Sequence, residues 1–332
     1  MLRLIQLTHP HEGRRIALVE EPKLHLLAHY RSIYHLAEEA IDSKHHIADM
    51  IPRLLSRELL DYDEIYQGRS EWKILPAFDH PGEAARCFVT GTGLTHRASA
   101  DLRQSMHNVT GPISDSMKMY QIGIEGGRPE AGTIGAAPEW FYKGTGAILR
   151  AHNQPLEVPG HGEDGGEEAE IAGVYLIGPN GTPYRVGLVQ GNEFSDHVLE
   201  AQNYLYLASS KLRTCAIGPE LIVDADFSDL HGKIAVERNG RVLWDALLSS
   251  GEKWMCHSLA NLEHHHFKHS MHREEGDAHI HFLGADMFSF KDKLRLEEGD
   301  VMTITYEGFG RPLRNPLHME ERAAELVSVE AL

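Results

Sequence analysis

Residues 167–178 read EEAEIAGVYLIG, and the turn GPNGTP at 178–183 leads into YRVGLVQGNEFSD at 184–196. A short apolar run bounded by Gly, Pro and Asn reads as a buried strand, and the Pro-Asn-Gly turn folds the next run antiparallel onto it. On such a strand Glu168 and Glu170 are two residues apart and project to one face. Side by side, like charges repel, and a divalent cation between them is the simplest compensation. Glu193 supplies a third carboxylate from the returning strand. Three carboxylates completed by water suit a hard cation, Mg²⁺ or Mn²⁺, rather than zinc. Taken alone, an E-x-E entering a strand is equally the pattern of a solvated strand edge.

Outward from this hairpin the chain stays rich in strands. CFVTGTG (87–93), ELIVDADF (220–227), KIAVERNGRVLWD (233–245), AHIHFLG (278–284) and VMTITYEG (301–308) alternate with Gly/Pro/Asn punctuation, and RNGR (238–241) is a second hairpin signal. LRLIQL and RRIALVEE predict two N-terminal strands joined at Pro10–Gly13. Residues 32–60 follow roughly helical spacing, with Pro52 as a break, and sizeable helices fit only 92–121 and 247–272. The expected class is therefore α+β and β-dominated rather than a doubly wound sheet. Its expected parts are an N-terminal mixed α/β domain (1–85), a catalytic domain (86–320) and a C-terminal tail (321–332), divided at the DHPGE turn (79–83) where the texture changes.

The chain has 332 residues, with 49 Asp+Glu against 32 Lys+Arg and a net charge of −17. An acidic balance argues against a phosphate-backbone partner, so no nucleic acid is expected. No apolar run approaches a membrane span, and MLRLIQLTHPHEGRR lacks the apolar stretch of a signal peptide. Three scattered cysteines make neither a disulfide framework nor a zinc knuckle, and a reduced cytoplasmic protein is expected. Of the 23 histidines, seven crowd between His264 and His281. Their spacing matches no ordered ligand set, so His264, His265 and His266 are expected to form a solvated polar face.

Nucleotide and serine-hydrolase signatures are absent: Gly91-Thr92-Gly93 lacks the third glycine, and no GxxxxGK[ST] or GxSxG occurs. PEWFYKGTGAILRAHNQPLEVP (138–159), EAEIAGVYLIG (168–178), GNEFSDHVLEAQNYLYLASSK (191–211), AIGPELIV (216–223) and EGFGRPLRNPL (307–317) run in the order found in the fumarylacetoacetate hydrolase superfamily, which the chain resembles over about residues 85–317. The resemblance implies a small N-terminal domain plus a mixed, rolled β-sheet catalytic domain around Mg²⁺ (Mn²⁺ or Ca²⁺ as alternatives), and a homodimer. It implies Glu168, Glu170 and Glu193 as metal ligands, although most members carry Asp where Glu193 stands.

Aligning GLTHRAS (93–99) to the hydrolases' G-x-N-Y turn puts Ser99 where their water-activating histidine stands, with His96 nearby, and their late Gly-Thr segment is altered to GADMF (284–288). LEAQNYLYLASSK (199–211) instead resembles the branch that dehydrates 2-keto-3-deoxy sugar acids, as does Pro138-Glu139-x-Phe141-x-Lys143. That similarity nominates Glu139, Lys143 and Lys211 as catalytic residues: Glu139 to move protons, the lysines to hold the substrate carboxylate or stabilise an enolate. The expectation is a Mg²⁺-dependent hydro-lyase acting on a small 2-oxo acid, a 2-keto-3-deoxypentonate giving 2,5-dioxopentanoate. The alternatives are a C–C hydrolase of acylpyruvates or 2,4-diketo acids, and a metal-binding protein with a degraded catalytic site.

Overall fold

The computed structural model describes residues 1–106, 113–321 and 324–332. An N-terminal hairpin of β1 (Leu2–His9) and β2 (Gly13–Glu20) continues into β3 (Lys23–Leu27), helices α1 (Ile33–Ser43) and α2 (Ile47–Leu54), β4 (Leu55–Asp61), the short α3 (Tyr62–Tyr66) and β5 (Lys73–Ile74). Then come β6 (Cys87–Gly93), α4 (Arg97–Met106), α5 (Asp115–Gly126), β7 (Glu139–Thr145), β8 (Leu149–Arg150) and β9 (Leu156–Val158). The motif hairpin is β10 (Ala169–Gly178) and β11 (Thr182–Asn192), followed by α6 (His197–Gln202), α7 (Leu207–Ser210), β12 (Cys215–Ile217) and β13 (Leu221–Val223). Last are β14 (Leu230–Arg238), β15 (Arg241–Ser250), α8 (Leu259–Phe267), β16 (Ala278–Phe282), β17 (Val301–Tyr306) and β18 (Leu313–Met319).

Thirteen strands form one mixed sheet whose main path is β4-β3-β2-β1-β13-β11-β10-β16-β6-β7, and five form a second, β15-β14-β17-β18-β9. The N-terminal hairpin enters the larger sheet through antiparallel β1–β13 pairing. Strand β10 is central and buried along all ten residues. On one face Val174 and Leu176 pack with Leu36, Ala37 and Ala40 of α1; on the other, Tyr175 meets Phe267 of α8 edge to face. The β14–β15 hairpin turns at Asn239 and Gly240, both at positive φ (52° and 73°), the backbone a two-residue primed turn requires.

Three local expectations change. Residues 55–61 are a strand, not helix, because Leu24 and His25 of β3 pair with Leu60 and Leu59 and so capture the backbone just after Pro52. Residues 247–250 belong to β15, leaving only α8 of the expected 247–272 helix, and within 92–121 helix is confined to α4 and α5, with 107–112 outside the described residues. The histidines also depart from a solvated face. His264 is exposed, but His265 and His266 are buried, because α8 lies on the sheet with His279 and His281 beneath it. Trp140 Nε1 donates to His266 Nδ1 at 3.2 Å, the other His266 nitrogen meets His279 Nδ1 at 3.1 Å, and the His281 ring stacks on His266 at 4.3 Å. Burial, reinforced by neighbouring imidazoles, pushes His279 and His281 down to about 3, so these rings pack as neutral aromatics.

Candidate active site

Strand β7 alternates cleanly: Glu139, Phe141 and Lys143 point inward while Trp140 and Tyr142 face out. The period-2 geometry of a strand thus delivers Glu139 and Lys143 to one site. Glu168 and Glu170 enter from the start of β10 and Glu193 from the end of β11, and one oxygen from each lies within 4.8 Å of the others. All three are buried, as are Lys143 and Lys211.

The lysines serve the carboxylates rather than an open cleft. Lys143 Nζ lies 2.5 Å from Glu193 Oε1 and donates to the carbonyls of Phe194 (3.0 Å) and Lys211 (2.9 Å). Lys211 Nζ, on the residue capping α7, donates to Glu168 Oε1 (2.8 Å), Glu193 Oε2 (2.6 Å) and Ser195 Oγ (2.7 Å). Lys211 thereby uses all three of its protons, while Lys143 makes two hydrogen bonds and one ion pair. Lys143 thus stands against Glu193, and Lys211 bridges Glu168 and Glu193.

Electrostatics single out Glu170. Burial raises the pKa of Glu168, but Lys211 and His197 outweigh it and hold the carboxyl well below the ordinary range; His197 Nε2 lies 2.9 Å from Glu168 Oε1. At Glu170, burial, then Glu193 and Glu168, push the pKa well above the ordinary range and outweigh the backbone donor Gly284 N at 2.7 Å and the charge of Lys211. A buried carboxyl forced towards its neutral form beside two others is what an oxygen-only cation site looks like before its cation is counted. The donor set fits a hard divalent ion and offers no sulfur or free imidazole for a softer one.

Beside the triad sits a second layer absent from the sequence reading. Glu139 Oε1 accepts from Tyr204 Oη at 2.6 Å, and Arg103, carried by α4, pairs with Glu200 Oε2 at 3.1 Å. Ser210 Oγ donates to Glu200 at 2.6 Å, and the His197 ring stacks on Phe288 at 4.7 Å. Gly93 lies opposite Glu139 in the β6–β7 register, and a Cβ there would stand 1.8 Å from Glu139 Oε2. Tyr204, Glu200 and His197 lie in the 191–211 stretch quoted above; Arg103 carries no sequence signal beyond its helix.

At the hydrolase position, Ser99 Oγ donates to the His96 carbonyl at 2.8 Å. His96 Nδ1 meets Thr95 Oγ1 at 3.0 Å, its other ring nitrogen has no partner among the described residues, and burial pushes its pKa down to about 4. It lines a cavity of about 490 Å³ with Arg97, Asp101, Asp286 and Lys291.

This strand-rich mixed α/β arrangement, with three carboxylates converging at the head of the β10–β11 hairpin, matches the fumarylacetoacetate hydrolase type of fold, as expected. Within that fold, the solved 2-keto-3-deoxy-D-arabinonate dehydratase is similar over 96% of this chain and 100% of its own, at 19% identity, with a TM-score of 0.71 for its apo form and 0.70 for its complex with magnesium and 2,5-dioxopentanoate. The 2-hydroxyhepta-2,4-diene-1,7-dioate isomerase from Mycobacterium marinum covers 97% of this chain and 100% of its own, at 16% identity and a TM-score of 0.59. These likenesses establish the fold. By sequence, the chain is 29% identical over 178 residues to a probable 2-keto-3-deoxyxylonate dehydratase of Haloferax volcanii, a match spanning 52% of this chain and 58% of that protein. No protein-family model matches. No helix among the described residues is long and apolar enough to cross a membrane.

Proposed function

We propose that the chain is a magnesium-dependent dehydratase of a 2-keto-3-deoxy sugar acid, with a pentonate as substrate and 2,5-dioxopentanoate as product. The observation that carries this reading is the pairing of a buried three-carboxylate cluster with a separate buried carboxylate, Glu139, one oxygen of which has no hydrogen-bond partner among the described residues. The names of the similar proteins point the same way. Glu168, Glu170 and Glu193 would hold the ion, which when bound polarises a 2-oxo acid and stabilises negative charge on its C2 oxygen.

The chain's own groups supply the rest. The Glu139 carboxylate takes a proton from C3, leaving an enolate, and returns that proton to the C4 hydroxyl. The C3–H and C4–O bonds break, a C3–C4 double bond forms, and water leaves with Glu139 back in its starting state. Moving one proton from C5 to C3 then gives the C4–C5 enol, and transfer of its hydroxyl proton to C4 gives the aldehyde of 2,5-dioxopentanoate. Tyr204 fixes the carboxylate through Oε1, which leaves Oε2, without a hydrogen-bond partner among the described residues, for proton transfer.

His96 favours a second reading, C–C hydrolysis of an acylpyruvate: a neutral imidazole beside a cavity, with one nitrogen unpartnered among the described residues, has the chemistry of a general base. Assays of both substrate classes with and without Mg²⁺ separate the two. The dehydratase reading expects Mg²⁺-dependent loss of 2-keto-3-deoxypentonate, abolished in Glu139→Gln and retained in His96→Gln. Acylpyruvate cleavage that depends on His96 would replace it.

A further inference from the structure

The loose ends around Glu139 have a pattern. Arg103 and Glu139 are only 8% and 7% exposed. Arg103 Nη2 is used by Glu200, but Nη1 stands 3.7 Å from Glu139 Oε1, beyond hydrogen-bond range. Among the described residues, neither Arg103 Nη1 nor Glu139 Oε2 has a hydrogen-bond partner. Leaving a buried guanidinium N–H and a buried carboxylate oxygen unpaired on neighbouring side chains is costly, and one small group reaching both would remove the cost. Gly93 packs against Oε2, and any larger residue there would run into it.

The pair offers one donor and one acceptor. A keto oxygen only accepts, an ammonium only donates and a methylene does neither; a hydroxyl does both at one atom. We propose that Arg103 Nη1 and Glu139 Oε2 form a subsite for the substrate's C4 hydroxyl, and that this subsite selects hydroxylated 2-oxo acids over 2,4-dioxo acids. The inference rests on the dehydratase reading above. Arg103 donates to the C4 oxygen while the hydroxyl donates to Oε2. Once Oε2 has taken the C3 proton, that second bond reverses and Glu139 becomes the donor. The C4–O bond then breaks towards an oxygen held by a permanently charged guanidinium, and the departing water already sits where it is doubly bonded. A 2,4-dioxo acid would leave Oε2 unpaired, which in a buried site discriminates by on the order of 10²-fold or more.

The test compares wild type, Arg103→Met and Arg103→Lys in D₂O with Mg²⁺, on a 2-keto-3-deoxypentonate and on 2-oxopentanoate. The latter has no C4 hydroxyl and can only exchange its C3 protons, a reaction followed by NMR. Calorimetric Mg²⁺ binding identifies variants that remain folded. Arg103→Met should lose dehydration by on the order of 10²-fold, while C3 exchange of 2-oxopentanoate falls far less. Arg103→Lys, which keeps the charge but not the fork, should lie between. Parallel loss of exchange and dehydration would show that Arg103 only positions Glu139 and would overturn the subsite; so would undiminished dehydration in Arg103→Met. A wild type that exchanges C3 protons yet dehydrates no deoxy sugar acid would remove the reading underneath, a distinguishable outcome.

Discussion

Replacing Gly93 by alanine places a single methyl group against the proposed proton-transfer oxygen. The new Cβ would lie 1.8 Å from Glu139 Oε2 and 3.0 Å from its Cδ, and no other residue is among its three nearest neighbours. Ordinary contact requires the carboxylate to retreat by roughly 1.5 Å, and a misplacement of about 1 Å at a reacting group costs on the order of 10²-fold. A fall in kcat of about 10²-fold is therefore expected. Metal affinity should hold, because the methyl touches none of Glu168, Glu170 or Glu193. Stability should change by no more than about 1 kcal/mol, the loss of the Tyr204–Glu139 hydrogen bond being offset by the lower chain entropy of alanine. Initial rates on a 2-keto-3-deoxypentonate, paired with calorimetric Mg²⁺ titration, measure both quantities. A variant whose kcat stays within about threefold of wild type would refute the placement of Glu139 at the reacting atoms.

Glu168→Gln, Glu170→Gln and Glu193→Gln should each weaken Mg²⁺ or Mn²⁺ binding at least tenfold by calorimetry, since each removes a charge from an oxygen-only site; unchanged binding in two of them would displace the site. His279 and His281, held near 3 when folded against about 6.5 unfolded, contribute stability that is complete above pH 6.5 and lost as pH falls towards 3. Each steepens the loss by up to about 1.4 kcal/mol per pH unit, so urea melts at pH 7.5 and 5.5 should differ sharply, and His281→Phe should flatten the difference. Ser99→Ala should leave dehydration within about threefold of wild type, because the hydroxyl only donates to the His96 carbonyl; a tenfold loss of kcat would give Ser99 a part in the chemistry.

What was legible in the sequence was whatever depends on neighbours in the chain. The β10–β11 hairpin, its PNG turn and the E-x-E spacing are local, whereas Glu139 and Lys143 were nominated by resemblance and only the structure shows them on the inward face of β7. Residues brought in from afar were not legible. Arg103 reaches Glu139 from a helix 36 positions upstream, and nothing in RASADLRQSM distinguishes it from a surface arginine. The histidines were misread for the same reason: α8 carries them onto β16, and only that packing makes His266 a buried ring instead of a solvated one. The strand at 55–61 was hidden because its helical spacing yields to the open edge of β3, a partner set by tertiary structure.

The central claim is that one buried carboxylate beside a magnesium triad removes water from a hydroxylated 2-oxo acid. The most direct measurement is mass spectrometry of the product formed from a 2-keto-3-deoxypentonate with Mg²⁺, run beside an acylpyruvate. The account predicts a single product lighter by one water, matching 2,5-dioxopentanoate, with the acylpyruvate intact. An untouched deoxypentonate together with an acylpyruvate split into two acids would contradict it.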